Sequence, residues 1–384
     1  MDFIRGTIEP KAMFLSDLEE GSGAESIERF RAFDGATPVD SPSPDPEAIA
    51  DVLFTTGTTG KPKGVVLTHS NLVAAATNIN AFIGNTDEDI EVVPIPLSHS
   101  FGLGRLRCAL VAGGAVVLTE GFLFPAKIFH ALSDWKATGL VAVPAGFALL
   151  FRLSGDKLGE YAEQLKYIEI GSAPMPQSDK ERLMRLLPST RICMHYGLTE
   201  ASRSAFIEFH ASSDKLGTIG KASPNVSITV RDERGEELPT GETGELCVRG
   251  GMVTRAYWDA PEETQESHWG DWLRTGDLAY VDEEGHLYLT GRAKDMINVG
   301  GVKVAPQEVE EVLRKHPLIE DAACVGIPDP QGLAGEAVKA FLVPVGASPS
   351  HDPPVQELVE FLRQHLEAAA VPVAFEWVDA IPKT

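Results

Sequence analysis

The sequence predicts an α/β protein: a largely parallel sheet carrying helices, then a small antiparallel β region, then a smaller α+β unit. Three observations carry this. Between about residues 90 and 200, short apolar runs alternate with stretches of helical period. From about residue 217 the texture shifts to short strands joined by polar turns that contain glycine. After Arg292 two amphipathic helical segments flank one apolar strand.

Residues 1–48 contain a short strand in "KAMFL" and a helix in "ESIERFRAF", and "DGATPVDSPSPDPE" reads as a surface linker. An apolar strand then leads into "FTTGTTGKPKG", and a second strand, "VVLTH", follows it. Ser70 is the expected N-cap of a helix with Leu72, Ala75, Ala76, Ile79 and Ile83 on one face. The runs "EVVPIPL", "GAVVLTE", "GLVAVP", "YIEIGS" and "RICMHYG" supply the parallel strands. "VSITVRDERGEEL", "GELCVRG" and "LAYVDEEGHLYLTG" supply the antiparallel ones. In the last unit "PQEVEEVLRKH" and "VQELVEFLRQHLEAA" are helices, and "AVKAFLVPV" is a strand.

The 384 residues suffice for two or more domains with cores of their own. Lysine and arginine number 33 against 56 aspartates and glutamates, a net charge of −23. That balance opposes nucleic acid and anionic membrane as partners. Cys108, Cys193, Cys247 and Cys324 are far apart and form no CxxC pair, which fits small buried residues in a reducing compartment. No apolar run reaches about 18 residues and no secretory pattern opens the chain, so a cytoplasmic location without a membrane span is expected.

The loop "FTTGTTGKPKG" runs against this acidic background. It is not a Walker A loop, because Pro62 stands where that pattern needs glycine, and because a strand rather than a helix follows. Gly57, Gly60 and Gly64 allow positive φ and close approach. Backbone N–H groups and the hydroxyls of Thr55, Thr56, Thr58 and Thr59 can wrap a polyphosphate, with Lys61 and Lys63 adding charge. A plain polar hairpin tip is the alternative.

"FTTGTTGKPKGVVLTH" resembles the phosphate-loop signature of the adenylate-forming superfamily: acyl- and aryl-CoA synthetases, peptide-synthetase adenylation domains and firefly-luciferase-like enzymes. "PLSHSFGLG", "GSAPM", "HYGLTE", "GELCVRG", "RTGD", "GRAKDMINVGGVKVAPQEVE" and "IPKT" follow in that superfamily's order and span nearly the whole chain. The resemblance implies the adenylate-forming fold: α/β sheet layers with a small antiparallel barrel-like region in residues 1–293, then a small mobile α+β domain in 294–384. It implies a ligase that joins a carboxylic acid to ATP as an acyl-adenylate and passes the acyl group to the thiol of CoA, with Mg2+ as cofactor.

On that resemblance the residues Thr55 to Gly64 hold the outer phosphates. Glu200 is the magnesium ligand, since a hard cation takes carboxylate and phosphate oxygens; Thr199 offers its hydroxyl to phosphate. Tyr196, followed by Gly197, lies against adenine, and Gly171, Ser172, Ala173 and Pro174 form a small-residue wall on the other side of the purine. Asp277 accepts the two ribose hydroxyls, with Arg292 beside them. Lys294 marks the hinge, and Gly300 and Gly301 border the pantetheine tunnel. His99 resembles a residue near the acid's carboxylate; a histidine packed on Phe101 is the alternative. "PLSHSFGLG" has no aspartate to pair an α-amino group, so an acyl or aryl acid is favoured over an amino acid. Arg203 either anchors a polar tail of the acid or is a surface charge.

Three departures from the family pattern stand out. Only 54 residues precede Thr55, fewer than in family members, and the signature "AIPKT" stops before the Gly-Lys pair that carries the catalytic lysine. The expectation is a chain that keeps nucleotide contacts but adenylates poorly. Ala256 stands where relatives have glycine, which puts a tight turn in question. The competing readings are an enzyme that loads an acyl carrier protein, a luciferase-like oxygenase, and a non-catalytic nucleotide-binding or interaction protein. The identity of the acid and the oligomeric state stay open.

Overall fold

The computed structural model describes residues 43–55, 62–330, 335–346 and 354–382, together with two short strands nearer the start. The chain divides into two compact units, Met1–Asp45 and Pro46–Thr384. In the first, β1 (Phe14–Leu15) pairs in parallel with β2 (Glu25–Ser26). Glu25–Ser26 opens the segment expected to be helical and is extended instead; the rest of that segment lies outside the described residues, as do residues 34–42 of the linker.

The second unit begins with β3 (Ile49–Thr55) and β4 (Lys63–Thr68), an antiparallel pair whose register sets Thr55 opposite Lys63. The glycine loop therefore joins two strands, as its flanks require. The chain passes from β4 straight into the helix His69–Ile83. Its N-cap is Thr68, not Ser70. The Thr68 hydroxyl accepts the Asn71 N–H at 3.2 Å, and Asn71 Oδ1 accepts the Thr68 N–H at 3.0 Å, a reciprocal capping box. With no loop between strand and helix, the last strand residue is the one left to cap.

A seven-stranded sheet follows: β5 (Ile90–Val93), β6 (Ala115–Leu118), β7 (Gly139–Ala142), β8 (Tyr167–Ile170), β9 (Arg191–Tyr196), β10 (Ala205–Glu208) and β11 (Lys221–Ala222). Its order is β11-β10-β9-β8-β7-β5-β6, with β5 to β9 parallel and β10 and β11 antiparallel. Parallel neighbours need crossovers, and the helices Ser100–Ala112, Pro125–Asp134, Pro144–Ser154 and Gln177–Leu186 provide them. Every residue of β7 and β8 is buried, as expected for strands covered on both faces. The loops after β5, β8 and β9 all leave from the carboxyl edge of the sheet, where open α/β sheets bind ligands.

The antiparallel region contains β12 (Val226–Arg231), β13 (Gly244–Gly250), β14 (Ala256–Tyr257), β15 (His268–Trp269), β16 (Trp272–Val281) and β17 (Leu287–Arg292). β12, β13, β16 and β15 form a sheet in that order, with β17 also on β16, while β14 pairs with β4. Ala256 sits opposite Val66 in that pair, so no tight turn depends on it. Register shifts between Glu245 and Cys247 and between Leu278 and Ala279 bend the sheet.

The last segment carries β18 (Ile297–Val299), β19 (Val302–Val304), the helix Pro306–Leu313, β20 (Ile319–Pro328), β21 (Glu336–Pro344), the helix Val355–Arg363 and β22 (Ala374–Trp377). Val309, Leu313, Val338, Leu342, Leu358 and Leu362 meet in a core separate from that of the large sheet. Among the described residues no helix is long and apolar enough to cross a membrane.

Candidate active site

β9 ends at Tyr196, and a tight turn follows in which Leu198 and Ala201 exchange backbone hydrogen bonds of 3.1 and 3.2 Å. Gly197 is required there: a Cβ would stand 2.5 Å from the Arg203 nitrogen. This turn carries Tyr196, Thr199 and Glu200, and a different cluster forms at each end.

At the Tyr196 end, the phenol donates to Asp277 Oδ2 at 2.5 Å, and Arg292 Nε approaches Asp277 Oδ1 at 2.9 Å. Asp277 and Arg292 are register partners across β16 and β17, which brings the pair together. The Asp277 carboxylate is buried, while the guanidinium is half-exposed. Burial, then the adjacent carboxylate, holds the Tyr196 phenol well above its ordinary value, so it stays a donor.

At the Glu200 end, Oε1 accepts a bond of 2.9 Å from the Tyr257 phenol, and Lys63 Nζ lies 5.3 Å from the centre of that ring. Tyr257 faces Val65 across β14 and β4, so sheet pairing brings the end of the glycine hairpin to Glu200. Gly64 serves close approach: a Cβ would come within 2.9 Å of Val52 and 3.1 Å of Trp258. Thr55 ends β3 opposite Lys63; Thr56, Gly57, Thr58, Thr59, Gly60 and Lys61 lie outside the described residues. No group of three or more His, Cys, Asp or Glu residues able to hold a metal occurs among the described residues. One carboxylate steered by a phenol still suits magnesium, which binds through one or two carboxylates plus substrate phosphates.

The remaining expected residues are spread more widely. His99 caps the helix Ser100–Ala112 through its backbone only and is exposed, so it is not packed in the core. Its neighbour Ser100 places Oγ 3.5 Å from Thr199 Oγ1, on the same carboxyl edge. Ser172, Ala173 and Pro174 form an exposed wall after β8, with Ser172 at a φ of +76°. Gly171 is buried because the His195 ring fills its side-chain position: a Cβ would meet that ring at 2.0 Å. Lys294 is exposed just past Arg292. Gly300 and Gly301, at φ +61° and +92°, form the two-residue tip of the β18–β19 hairpin, braced by the Asn298 side chain.

Sequence reasoning missed Tyr257 and a buried charge network beneath the site. Arg105 on the helix Ser100–Ala112 bonds Glu91 of β5 through Nε at 2.9 Å and reaches Glu169 of β8 at 3.0 Å. Arg203 approaches Glu169 at 3.1 Å and donates to the Phe101 carbonyl at 3.1 Å; it is 3% exposed, so it is not a surface charge. His195 Nδ1 lies 2.7 Å from Glu169, and the Tyr167 phenol donates to Glu91 at 2.8 Å. With His195 neutral, two guanidiniums balance two carboxylates. Glu169, though penalised by burial, is held far below the ordinary carboxylate value by Arg203 and Arg105. Burial in turn pushes the His195 imidazole down. A signal was present: lone glutamates inside the apolar runs "EVV" and "YIEI" must find buried cations.

The chain matches the AMP-binding enzyme family over residues 7–258 and the AMP-binding enzyme C-terminal domain over residues 308–384. It is 38% identical over 339 residues to acyl-CoA ligase sidI of Aspergillus fumigatus, covering 85% of this chain and 56% of that protein. It is 34% identical over 352 residues to a long-chain-fatty-acid–CoA ligase of Escherichia coli, covering 88% and 60%. The chain thus spans little more than half the length of these relatives. Among solved structures it is similar to o-succinylbenzoate coenzyme A synthetase (MenE) of Bacillus subtilis in complex with AMP, with a TM-score of 0.84 and 27% identity over 100% of this chain and 77% of that one.

Proposed function

Because this chain belongs to the AMP-binding enzymes, we propose that it is an acid–thiol ligase that activates a carboxylic acid with ATP and transfers the acyl group to CoA, in the cytoplasm. The observation that carries this reading is the division of labour around one short turn: Tyr196 bonded to Asp277 and Arg292 at one end, Glu200 bonded to Tyr257 near Lys63 at the other.

In this reading Asp277, already oriented by a tyrosine and an arginine, accepts the ribose hydroxyls with its remaining lone pairs. The Tyr196 ring and the wall Gly171–Pro174 flank adenine. Lys63 and the loop from Thr55 meet the outer phosphates, with Thr199 beside them. Glu200 is the residue that would hold Mg2+, together with phosphate oxygens, and the bound ion would supply charge neutralisation at the phosphates. His99 stands near the acid's carboxylate. The segment from Lys294 onward, which has its own core, is a second domain that turns about this residue, and Gly300 and Gly301 approach the pantetheine arm.

Calorimetry with AMP tests the nucleotide site. The intact chain binds AMP, and Asp277→Asn weakens binding at least tenfold, the scale of hydrogen bonds to a charged group. Equal affinity in parent and variant overturns the reading. Turnover with an acid, ATP, Mg2+ and either CoA or a phosphopantetheinyl carrier protein then identifies the acceptor.

A further inference from the structure

On the proposed reading the acid's carboxylate sits by His99 and Thr199, where the helix Ser100–Ala112 starts against the turn after β9. β9 ends there with two residues that point to opposite faces of the sheet. Tyr196 faces Asp277 and the ribose side. His195 faces the helix, where the Phe101 ring meets it edge-on with centroids 4.7 Å apart. Phe206, its register partner on β10, stands 5.9 Å away on another side. On β8, Glu169 Oε1 lies 2.7 Å from Nδ1, a short and bent approach.

That carboxylate fixes the tautomer. Glu169 is ionised between Arg105 and Arg203, so the nitrogen facing it carries the proton, and burial keeps the ring neutral. Nε2 is left as an acceptor. It has no hydrogen-bond partner among the described residues, and it is not enclosed as Nδ1 is. The ring edge that carries it fills the side-chain position of Gly171, 2.1 Å from where a Cβ would stand. Gly171 follows β8 at the carboxyl edge and brings no side chain to cover the imidazole.

A tail running from Thr199 between the helix and the wall Gly171–Pro174 meets this atom. An alkyl tail would strip Nε2 of water and return nothing; a hydroxyl would bond it. A second carboxylate would be a third anion against two guanidiniums already paired at 3.0 and 3.1 Å. We propose that His195 selects the acid: its Nε2, set beside Gly171 by Glu169, accepts a hydrogen bond from a hydroxyl on the tail, and the substrates are hydroxylated carboxylic acids. This rests on the proposed function and names its substrate class.

Stable acyl-adenylate analogues, the acylsulfamoyl adenosines, read the preference without turnover. Calorimetry on the intact chain compares AMP, the pentanoyl analogue, pentanoyl analogues hydroxylated at the third, fourth or fifth carbon, and the glutaryl analogue. At least one hydroxylated analogue binds about fivefold or more tightly than the pentanoyl one, the scale of leaving a buried acceptor unpaired. The glutaryl analogue binds less tightly than that one. His195→Phe keeps a flat ring and leaves the guanidiniums and carboxylates in balance, but has no Nε2. In it the gain from the hydroxyl, taken as a ratio within that protein, falls below about twofold. His195→Leu serves in its place where the phenylalanine variant does not fold. A parent in which no hydroxylated analogue reaches the stated gain, or in which the glutaryl analogue binds most tightly, while AMP still binds, overturns the proposal alone. So does a gain above about twofold that survives loss of the imidazole. Failure of AMP and every analogue to bind overturns the nucleotide reading and this proposal together.

Discussion

Glu169→Gln keeps the shape of the side chain and removes its charge. Three groups depend on that charge: His195 at 2.7 Å, Arg105 at 3.0 Å and Arg203 at 3.1 Å. Their side chains are at most 7% exposed, so water cannot replace the lost partner. Each guanidinium contact at this separation corresponds to about 5 kcal/mol at an effective dielectric constant near 20. Part of this is offset because the carboxylate no longer has to be desolvated. The expected net loss is about 3–5 kcal/mol, the range for breaking a buried pair from one side. Urea unfolding of parent and variant, followed by fluorescence and circular dichroism together, measures it. Glu169→Gln/Arg203→Met restores neutrality and should be less destabilised than the sum of its two single variants by at least about 1 kcal/mol. A single variant within about 1 kcal/mol of the parent, or strict additivity, would show that the network does not hold this part of the sheet.

Three further outcomes are expected. His195 refuses in the folded state a proton that the unfolded chain accepts, so its contribution is complete above the ordinary value of 6.5 and is lost as pH falls through the lowered one. Glu169, held low, adds its own loss only in stronger acid. His195→Gln should therefore flatten the stability profile between about pH 7.5 and 5.5, where one such group contributes a slope of at most about 1.4 kcal/mol per pH unit. Gly171→Ala drives a methyl group into the His195 ring and should cost about 1–3 kcal/mol or more, read as a lowered unfolding midpoint. Tyr257→Phe leaves Glu200 without its donor; ATP affinity in the presence of Mg2+ should fall about 10–100-fold, the usual effect of removing a group that orients a metal ligand, and calorimetry across a Mg2+ series reads this.

The five parallel strands were legible because each is a short apolar run bounded by turn residues and separated by a helical period. β20 was not, since "IEDAACVGIP" mixes charge, small residues and β-formers without alternation, and only its long pairing with β21 makes it a strand. The Tyr196, Glu200, Asp277 and Arg292 positions were found through motifs. Their grouping into two clusters was not, because it depends on the β16–β17 register and on β14 joining β4. The site of Tyr257 had no local signature: its role exists only once 57 residues of chain bring it back to Glu200. The N-cap was misread because Ser70 and Thr68 are both good caps, and the choice rests on where β4 ends.

Asn71, met above as half of a capping box, also donates both hydrogens of its amide to distant carbonyls, those of Gly251 at 2.7 Å and Val253 at 3.1 Å. Every donor that side chain owns is thereby spent, while its carbonyl oxygen accepts from the Thr68 N–H. Aspartate would have no hydrogens to give and leucine would bond nothing. The start of the helix and the stretch that leads to Tyr257 are consequently riveted by one residue. They should come apart in a single step, so amide hydrogens of Asn71 and Val253 are expected to exchange with solvent at a common rate rather than one after the other.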